Sequence, residues 1–224
     1  MAATWTAAGR LRPSIPPVPE LAPGSTPLVR PYRGGDSRAA IALLYESSGG
    51  MYDRYAGNRR LAERALARAL ARAGNSASAD VVWVAELDGQ VAGAMAAMPF
   101  AEWSTRARSF LRVTLLSIPP WRWPNAIRLY RASSHAAPAP PPACFYVDSL
   151  ATAEGQRRRG VARVLLDDAE RQARRHGLQS LALDTWADNT AARALYLRAG
   201  FEEVAHSSPV AGLPGGVSLV KELA

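Results

Sequence analysis

This chain has almost none of the side chains that build metal centres or covalent cross-links. Of its 224 residues one is cysteine, Cys144, which excludes an internal disulfide and any cysteine-based zinc site. Three histidines, His135, His176 and His206, are scattered along the sequence, so no metal-binding constellation is visible and no metal is expected. Lysine is nearly missing: Lys221 stands alone among 27 basic residues, an arginine bias that reads as genome base composition rather than chemistry. No apolar run approaches the length of a membrane span. The amino terminus also lacks the basic start and apolar stretch of a secretory signal, which makes a cytoplasmic protein without transmembrane segments the expectation.

What is present fits one ordinary folded unit. Hydrophobic residues make up 48% and charged residues 21%, the balance of a soluble globular protein long enough for a substantial core. The net charge of +8 and pI near 10.3 raise the question of a nucleic-acid partner. The arginines are dispersed and no nucleic-acid-binding motif occurs, so none is expected. Arg60, Arg64, Arg68 and Arg72 do align on one helix face, which reads as a solvated basic stripe.

Proline, glycine and periodicity divide the chain. Residues 1–27 are proline-rich and aperiodic, an N-terminal tail ahead of a domain spanning 28–224. Residues 28–33 read as a first strand, with Pro31 suited to a sheet edge. Asp36 is a fitting N-cap for the helix that follows, and a second helical run covers 52–74, with Ala62, Ala65, Leu66, Ala69, Leu70 and Ala73 on one face. Residues 81–86 and 91–98 flank Asp88-Gly89 as a hairpin. Residues 101–142 break this pattern and read as an insertion holding two short helices about Pro119-Pro120, then a proline-rich return. A strand over 145–152, a helix opening at Gly160 and closing at Gly177, a buried strand over 181–186, a helix from Asn189 and a closing antiparallel pair complete the chain. The fold class expected is α/β (α+β): a mixed, mostly antiparallel central sheet flanked by helices.

The segment DSLATAEGQRRRGVA carries the chemistry. A strand breaks at Ala153-Glu154-Gly155, and a helix begins after three consecutive arginines, Arg157, Arg158 and Arg159. The unpaired amides and positive dipole end of such a helix make a ready anion site. It is neither a P-loop nor a dinucleotide fingerprint. The pattern Arg157-x-x-Gly160-x-Ala162 resembles the pyrophosphate-binding signature of the GNAT superfamily of N-acetyltransferases. Asn189, Ala192, Leu195, Tyr196, Gly200 and Phe201 stand as in that family's N-x-x-A-x-x-L-Y-x-x-x-G-F segment. The resemblance follows the element order over about residues 28–223 and is specific over about 145–204.

The resemblance implies acetyl-coenzyme A as cosubstrate, held where two neighbouring parallel strands splay apart. Backbone groups near Leu150, Ala151 and Thr152 would bond its pantetheine arm. The amides of Arg157, Arg158, Arg159, Gly160, Val161, Ala162 and Arg163 would hold the pyrophosphate, with a β-carbon at Gly160 crowding it. It also implies Tyr196 as general acid toward the departing thiolate, and Asn189 as a helix cap that could also reach the pantetheine. Strand alternation puts Tyr146, Asp148 and Leu150 on one face. Asp148 could deprotonate or bind the incoming amine, or be neutralised by an arginine; Asp184 and a water relay are the other candidates for the base. Tyr146, Asp148 and Asp184 are the expected acceptor contacts. Cys144 has no histidine placed by the motif and is disfavoured as an acyl carrier.

The function expected is therefore acetyl transfer from acetyl-coenzyme A directly to a primary amine of a small molecule or peptide. The alternatives are an inactive coenzyme A-binding regulator, against which Gly160, Asn189 and Tyr196 argue, and a basic nucleic-acid-binding protein. The insertion brings Trp103, Phe110, Trp121, Trp123 and Tyr130 together with six arginines. It reads as a helical pair on the core, an aromatic lid over the acceptor, or a membrane or subunit contact. A homodimer is left open.

Overall fold

A computed structural model describes residues 26–133, 138–209 and 213–223. The expected tail thus lies outside the described residues up to position 25. The chain begins with strand β1 (Leu28–Pro31) and three helices, α1 (Ser37–Ser47), α2 (Met51–Ala56) and α3 (Arg59–Leu70). The hairpin β2 (Val82–Leu87) and β3 (Gln90–Pro99) leads to α4 (Phe100–Leu115) and α5 (Trp123–Ser133). Then follow β4 (Phe145–Thr152), α6 (Val161–Arg175), β5 (Ser180–Trp186), α7 (Thr190–Arg198), β6 (Glu202–His206) and β7 (Gly216–Glu222). The strands form one sheet in the order β1-β2-β3-β4-β5-β7-β6, with β1 at an edge as its proline requires. All neighbours are antiparallel except β4 and β5.

Local sequence explains most boundaries. Asp88 and Gly89 both hold positive φ, 54° and 74°, the left-handed pair that a two-residue hairpin turn requires. The second helical run is not continuous. Gly57 takes φ 104° and Asn58 starts α3 by accepting from the Leu61 amide at 3.0 Å, so the run splits into α2 and α3. Asp36 stands at the N-cap of α1 without capping it. Its carboxylate instead accepts from the Arg30 guanidinium at 2.7 and 2.9 Å and from the Arg33 amide at 2.8 Å. The ion pair ties the edge strand to α1. In the insertion α4 runs for 16 residues, longer than the short helix expected, because its start continues directly from β3.

The sheet is covered on both faces. Val161, Leu165, Leu166, Ala169 and Ala173 of α6 pack against Met95, Ala97, Phe145, Val147, Leu181 and Leu183. On the other face Ala40, Leu44, Leu66 and Leu70 meet Val82, Ala96 and Val113. Lys221 on β7 clamps the far end, bridging Glu170 of α6 and donating at 2.8 Å to the Ala199 carbonyl at the end of α7. No helix among the described residues is long and apolar enough to cross a membrane.

Two departures from regular sheet geometry position everything that follows. The parallel pairing of β4 with β5 covers only Phe145–Leu181, Tyr146–Ala182 and Val147–Leu183. Beyond it β4 stays with β3 while β5 stays with β7, so the two strands separate as a V. At that same point Ala96 and Ala97 of β3 face Ser149 and Val147, leaving Asp148 as the extra residue of a bulge. The bulge breaks the alternation read from sequence. Phe145 and Val147 face α6 before it, yet Leu150 packs with the α6 cluster after it, so Tyr146 and Leu150 lie on opposite faces.

Gly93 of β3 lets α6 lie against this region. A β-carbon there would come within 2.6 Å of Val161 Cγ1 and 3.1 Å of Leu165 Cδ1. Gly93→Val is expected to push the start of α6 off the sheet and lower stability by about 1–3 kcal/mol, the usual range for overpacking. Thermal unfolding measures the loss, and an unchanged midpoint would show that α6 does not rest on this contact.

Candidate active site

The V between β4 and β5 opens into a cleft of about 500 Å³. Its floor is the unpaired edge of β4, with Leu150, Ala151 and Thr152 lining it. These residues keep their partners on β3 but have none on the β5 side, so their outward backbone groups are available to a ligand. Thr152 Oγ1 is buried on this wall and hydrogen-bonds to no group among the described residues. A buried unpaired hydroxyl is costly and marks a place for a polar ligand atom.

One end of the cleft is built for an anion. Gly160 precedes α6 with φ 80°, and the first helical bond is donated by Val164 to the Gly160 carbonyl at 3.1 Å. The amides of Val161, Ala162 and Arg163 therefore precede the helical ladder. Arg157, Arg158 and Arg163 line the same end, and Arg158 itself holds φ 61° in the tight turn. A β-carbon at Gly160 would meet no protein atom within 4 Å, and its φ of 80° is itself a left-handed conformation that glycine adopts without strain. Arg159 does not join the cleft: its guanidinium turns to Gln156 at 2.5 Å and Asp88 at 3.1 Å, pinning the loop to the hairpin tip.

The other wall comes from α7. Asn189 caps this helix, accepting from the Ala192 amide at 3.2 Å, and lines the cleft. Tyr196, two turns on, is 7% exposed and lines the cleft. Burial, aided by the Asp184 charge, pushes its phenol up to about 12, so it keeps its proton throughout the neutral range.

Where the strands part, two carboxylates and two aromatic donors form one network. Trp103 of α4 donates its indole N–H to Asp148 Oδ1 at 2.7 Å. The Tyr146 phenol donates to Asp184 Oδ1, and the Trp103 and Tyr146 rings meet edge-on with centroids 5.9 Å apart. Asp148 has no arginine partner among the described contacts. Burial raises its pKa to about 6, with the Trp103 hydrogen bond pulling it down and the Asp184 charge pushing it up. Tyr146 was expected to contact the acceptor. It is buried at 5% exposure beneath Phe100 and Trp103 and does not line the cleft, so it orients Asp184 instead. Cys144 lies buried in the same cluster, its thiol pushed up to about 11 by burial and inert as a nucleophile. Glu46 and Ser47 of α1, Thr185, Leu195 and Arg198 also line the cleft, and sequence reading missed them. Trp103 was likewise missed as a partner of Asp148, lying 45 residues away in the chain.

Comparison with known proteins agrees with this geometry. The profile of the acetyltransferase (GNAT) family matches residues 51–201, more than half of the chain, and the chain belongs to that family. A crystal structure of an acetyltransferase, 22% identical, superposes with a TM-score of 0.66 over 88% of this chain and 100% of that one. An N-acetyltransferase from Staphylococcus aureus Mu50, 18% identical, superposes with a TM-score of 0.68 over 86% of this chain and 99% of that one. Both likenesses concern the fold. No curated protein matches the sequence.

The loop before α6 yields a direct test. Gly160→Val places a β-branched residue at φ 80°, a strain of about 1–2 kcal/mol, and distorts the amides that face the cleft. The variant is expected to fold with a slightly lower midpoint and to lose thermal stabilisation by acetyl-coenzyme A. Undiminished stabilisation would remove this loop from the binding site.

Proposed function

We propose that the protein transfers an acetyl group from acetyl-coenzyme A directly to a primary amine. The observation that carries this reading is that a single cleft joins an anion-binding helix start, an unpaired strand edge, a buried protonated tyrosine and an aspartate poised near neutrality. The residues fit two parts of the cosubstrate. The α6 amides with Arg157, Arg158 and Arg163 suit the pyrophosphate, and the β4 edge with Thr152 Oγ1 suits the amide-bearing arm. Acetyl-coenzyme A supplies the activated acetyl group.

The chain's own residues manage the protons. Asp148 as carboxylate receives the proton that the ammonium must lose before nitrogen can attack. An alkylammonium ordinarily holds its proton with a pKa of about 10, so a base at about 6 faces a gap of about four powers of ten, or about 5 kcal/mol. An unshifted aspartate would face about six. The gap at Asp148 is small beside the barrier of about 16 kcal/mol that a turnover of about 10 s⁻¹ implies. As the carbon–nitrogen bond forms and the carbon–sulfur bond breaks, the nitrogen gives up its second surplus proton to solvent, and Tyr196 donates its hydroxyl proton toward the departing sulfur. Solvent then takes the first proton from Asp148 and restores the one on Tyr196.

Two outcomes follow. Tyr196→Phe is expected to bind acetyl-coenzyme A normally while turning over about 10²-fold more slowly, the usual size of a lost proton donor. Turnover at the unaltered rate across pH would make Tyr196 a packing residue.

The second concerns pH. Because Asp148 must be ionised to act, kcat/KM is expected to rise with pH through about 6 and then stay level to at least pH 9, since Tyr196 does not ionise there. Trp103→Phe removes a hydrogen bond that favours the carboxylate, so it should move that rise to higher pH. Linkage gives an independent readout. The folded-state pKa of Asp148 is raised, so its stabilising contribution is present below about pH 4 and lost as pH climbs through about 6. Asp148→Asn should therefore raise the thermal midpoint at pH 8 relative to the parent and not at pH 4. A pH–rate profile that is flat from 5 to 8 would remove Asp148 as the base and favour Asp184 or a water relay.

A further inference from the structure

A second chamber, of about 150 Å³, lies on the α4 side of Asp148. Asp148 lines both this chamber and the main cleft. The chamber walls are aromatic: Tyr52 and Tyr55 from α2, Trp103 and Phe110 from α4, and Tyr130 from α5. The Tyr52 and Phe110 rings lie 5.7 Å apart at 52°. The walls are also tied to one another. The Tyr55 and Ser133 hydroxyls meet at 2.5 Å, and Asn125 Nδ2 of α5 donates to the Arg54 carbonyl of α2 at 3.0 Å.

Three properties of the chamber define what it takes. Among the described residues no arginine lines it although the chain carries a net charge of +8, and Asp148 is its one carboxylate. Aromatic walls with a single carboxylate favour a cation with an apolar body. A volume of about 150 Å³ is that of a cavity known to take one benzene ring, too small for a polypeptide segment. Thr114 also lines the chamber, and its buried Oγ1 has no hydrogen-bond partner among the described residues. On α4 it follows Trp103 by 11 residues, so it sits well away from the carboxylate. A turn about the Thr114 side-chain bond would bring this hydroxyl to the wall, where an occupant with a hydroxyl at the end remote from its amine would satisfy it.

Resting on the acetyl-transfer reading above, we infer that this chamber is the acceptor subsite and that the acceptor is a compact monocyclic primary amine with a distal hydroxyl. The ammonium would sit at Asp148, facing the cleft, with the ring among Tyr52, Phe110 and Tyr130. The insertion thereby becomes the determinant of acceptor size, since α4 and α5 supply most of the walls. Peptide amino termini and lysine side chains on proteins are disfavoured because the chamber holds little more than one ring behind the amine.

The test compares three amines with the full-length protein. These are 2-(4-hydroxyphenyl)ethylamine, 2-phenylethylamine and a tripeptide with a free amino terminus. Acetyl-coenzyme A binding is first measured by calorimetry, which tests the underlying reading alone. Thiol release should then be fastest for the hydroxylated ring amine, with the ring amine lacking the hydroxyl showing a KM about 5- to 10-fold higher. The tripeptide should give no transfer above background. Ala107→Phe fills the chamber from α4 and should raise KM for both ring amines at least about ten-fold while leaving acetyl-coenzyme A affinity unchanged. Thr114→Val is nearly isosteric and guards against a folding defect in the first variant. It should abolish the preference for the hydroxylated amine and leave 2-phenylethylamine unaffected. If acetyl-coenzyme A binds but the tripeptide is acetylated as well as the ring amines, or if neither variant changes KM, the acceptor assignment fails and the transfer reading stands. If acetyl-coenzyme A does not bind, both fall.

Discussion

The structure depends on one interrupted interaction, the parallel ladder between β4 and β5 that stops after Val147 and Leu183. A continuous ladder would satisfy every backbone group on these strands and leave no cleft. Ending it after three residue pairs exposes hydrogen-bonding backbone on one strand and makes room for α7 to bring Tyr196 to the gap. Exposed backbone of this kind is tolerated only where other interactions hold the strands. Here β3 holds β4 along its other edge, and β7 holds β5 along its whole length. The gap is thus held open by paired strands on both of its sides.

The bulge at Asp148 belongs to the same design. A regular strand would have carried this side chain in step with Tyr146 and Leu150. The extra residue instead falls where the strands part, and Asp148 lines both cavities. Its partner Trp103 and the Tyr146–Asp184 pair behind it fix both carboxylates through donors that themselves stay uncharged. A protein rich in arginine keeps guanidinium groups away from Asp148, which is what allows burial to raise its pKa.

Much of this could be read from the sequence because it is encoded locally. The turn at Asp88-Gly89, the glycine before α6, the cap at Asn189 and the apolar periodicity of α6 each lie within a few residues of the element they define. The motif residues Arg157, Gly160, Ala162, Asn189 and Tyr196 all reach the cleft for that reason. What escaped is encoded across distance. The bulge at Asp148 depends on how β4 registers with β3, and no residue in β4 announces it. Trp103 meets Asp148 only because α4 folds back over the sheet. Tyr146 carries the residue type of an acceptor contact, yet Phe100 and Trp103 cover it. Arg159 is one of three identical neighbours, and only the hairpin tip distinguishes the one that turns away. The split at Gly57 was open to local reading, since a glycine followed by asparagine both ends and starts a helix.

The solitary lysine has a consequence for a member of this family. Lys221 is 18% exposed, and its ammonium is engaged by Glu170 and the Ala199 carbonyl. The side chains of this protein therefore offer no free amine to an acyl donor. An arginine-coated surface can hold a strongly positive potential, as a lysine-coated one would, yet it cannot be neutralised by acyl groups leaking from the thioester pool. On the proposed reading of the cleft, the charge of the protein is in this way insulated from its own chemistry.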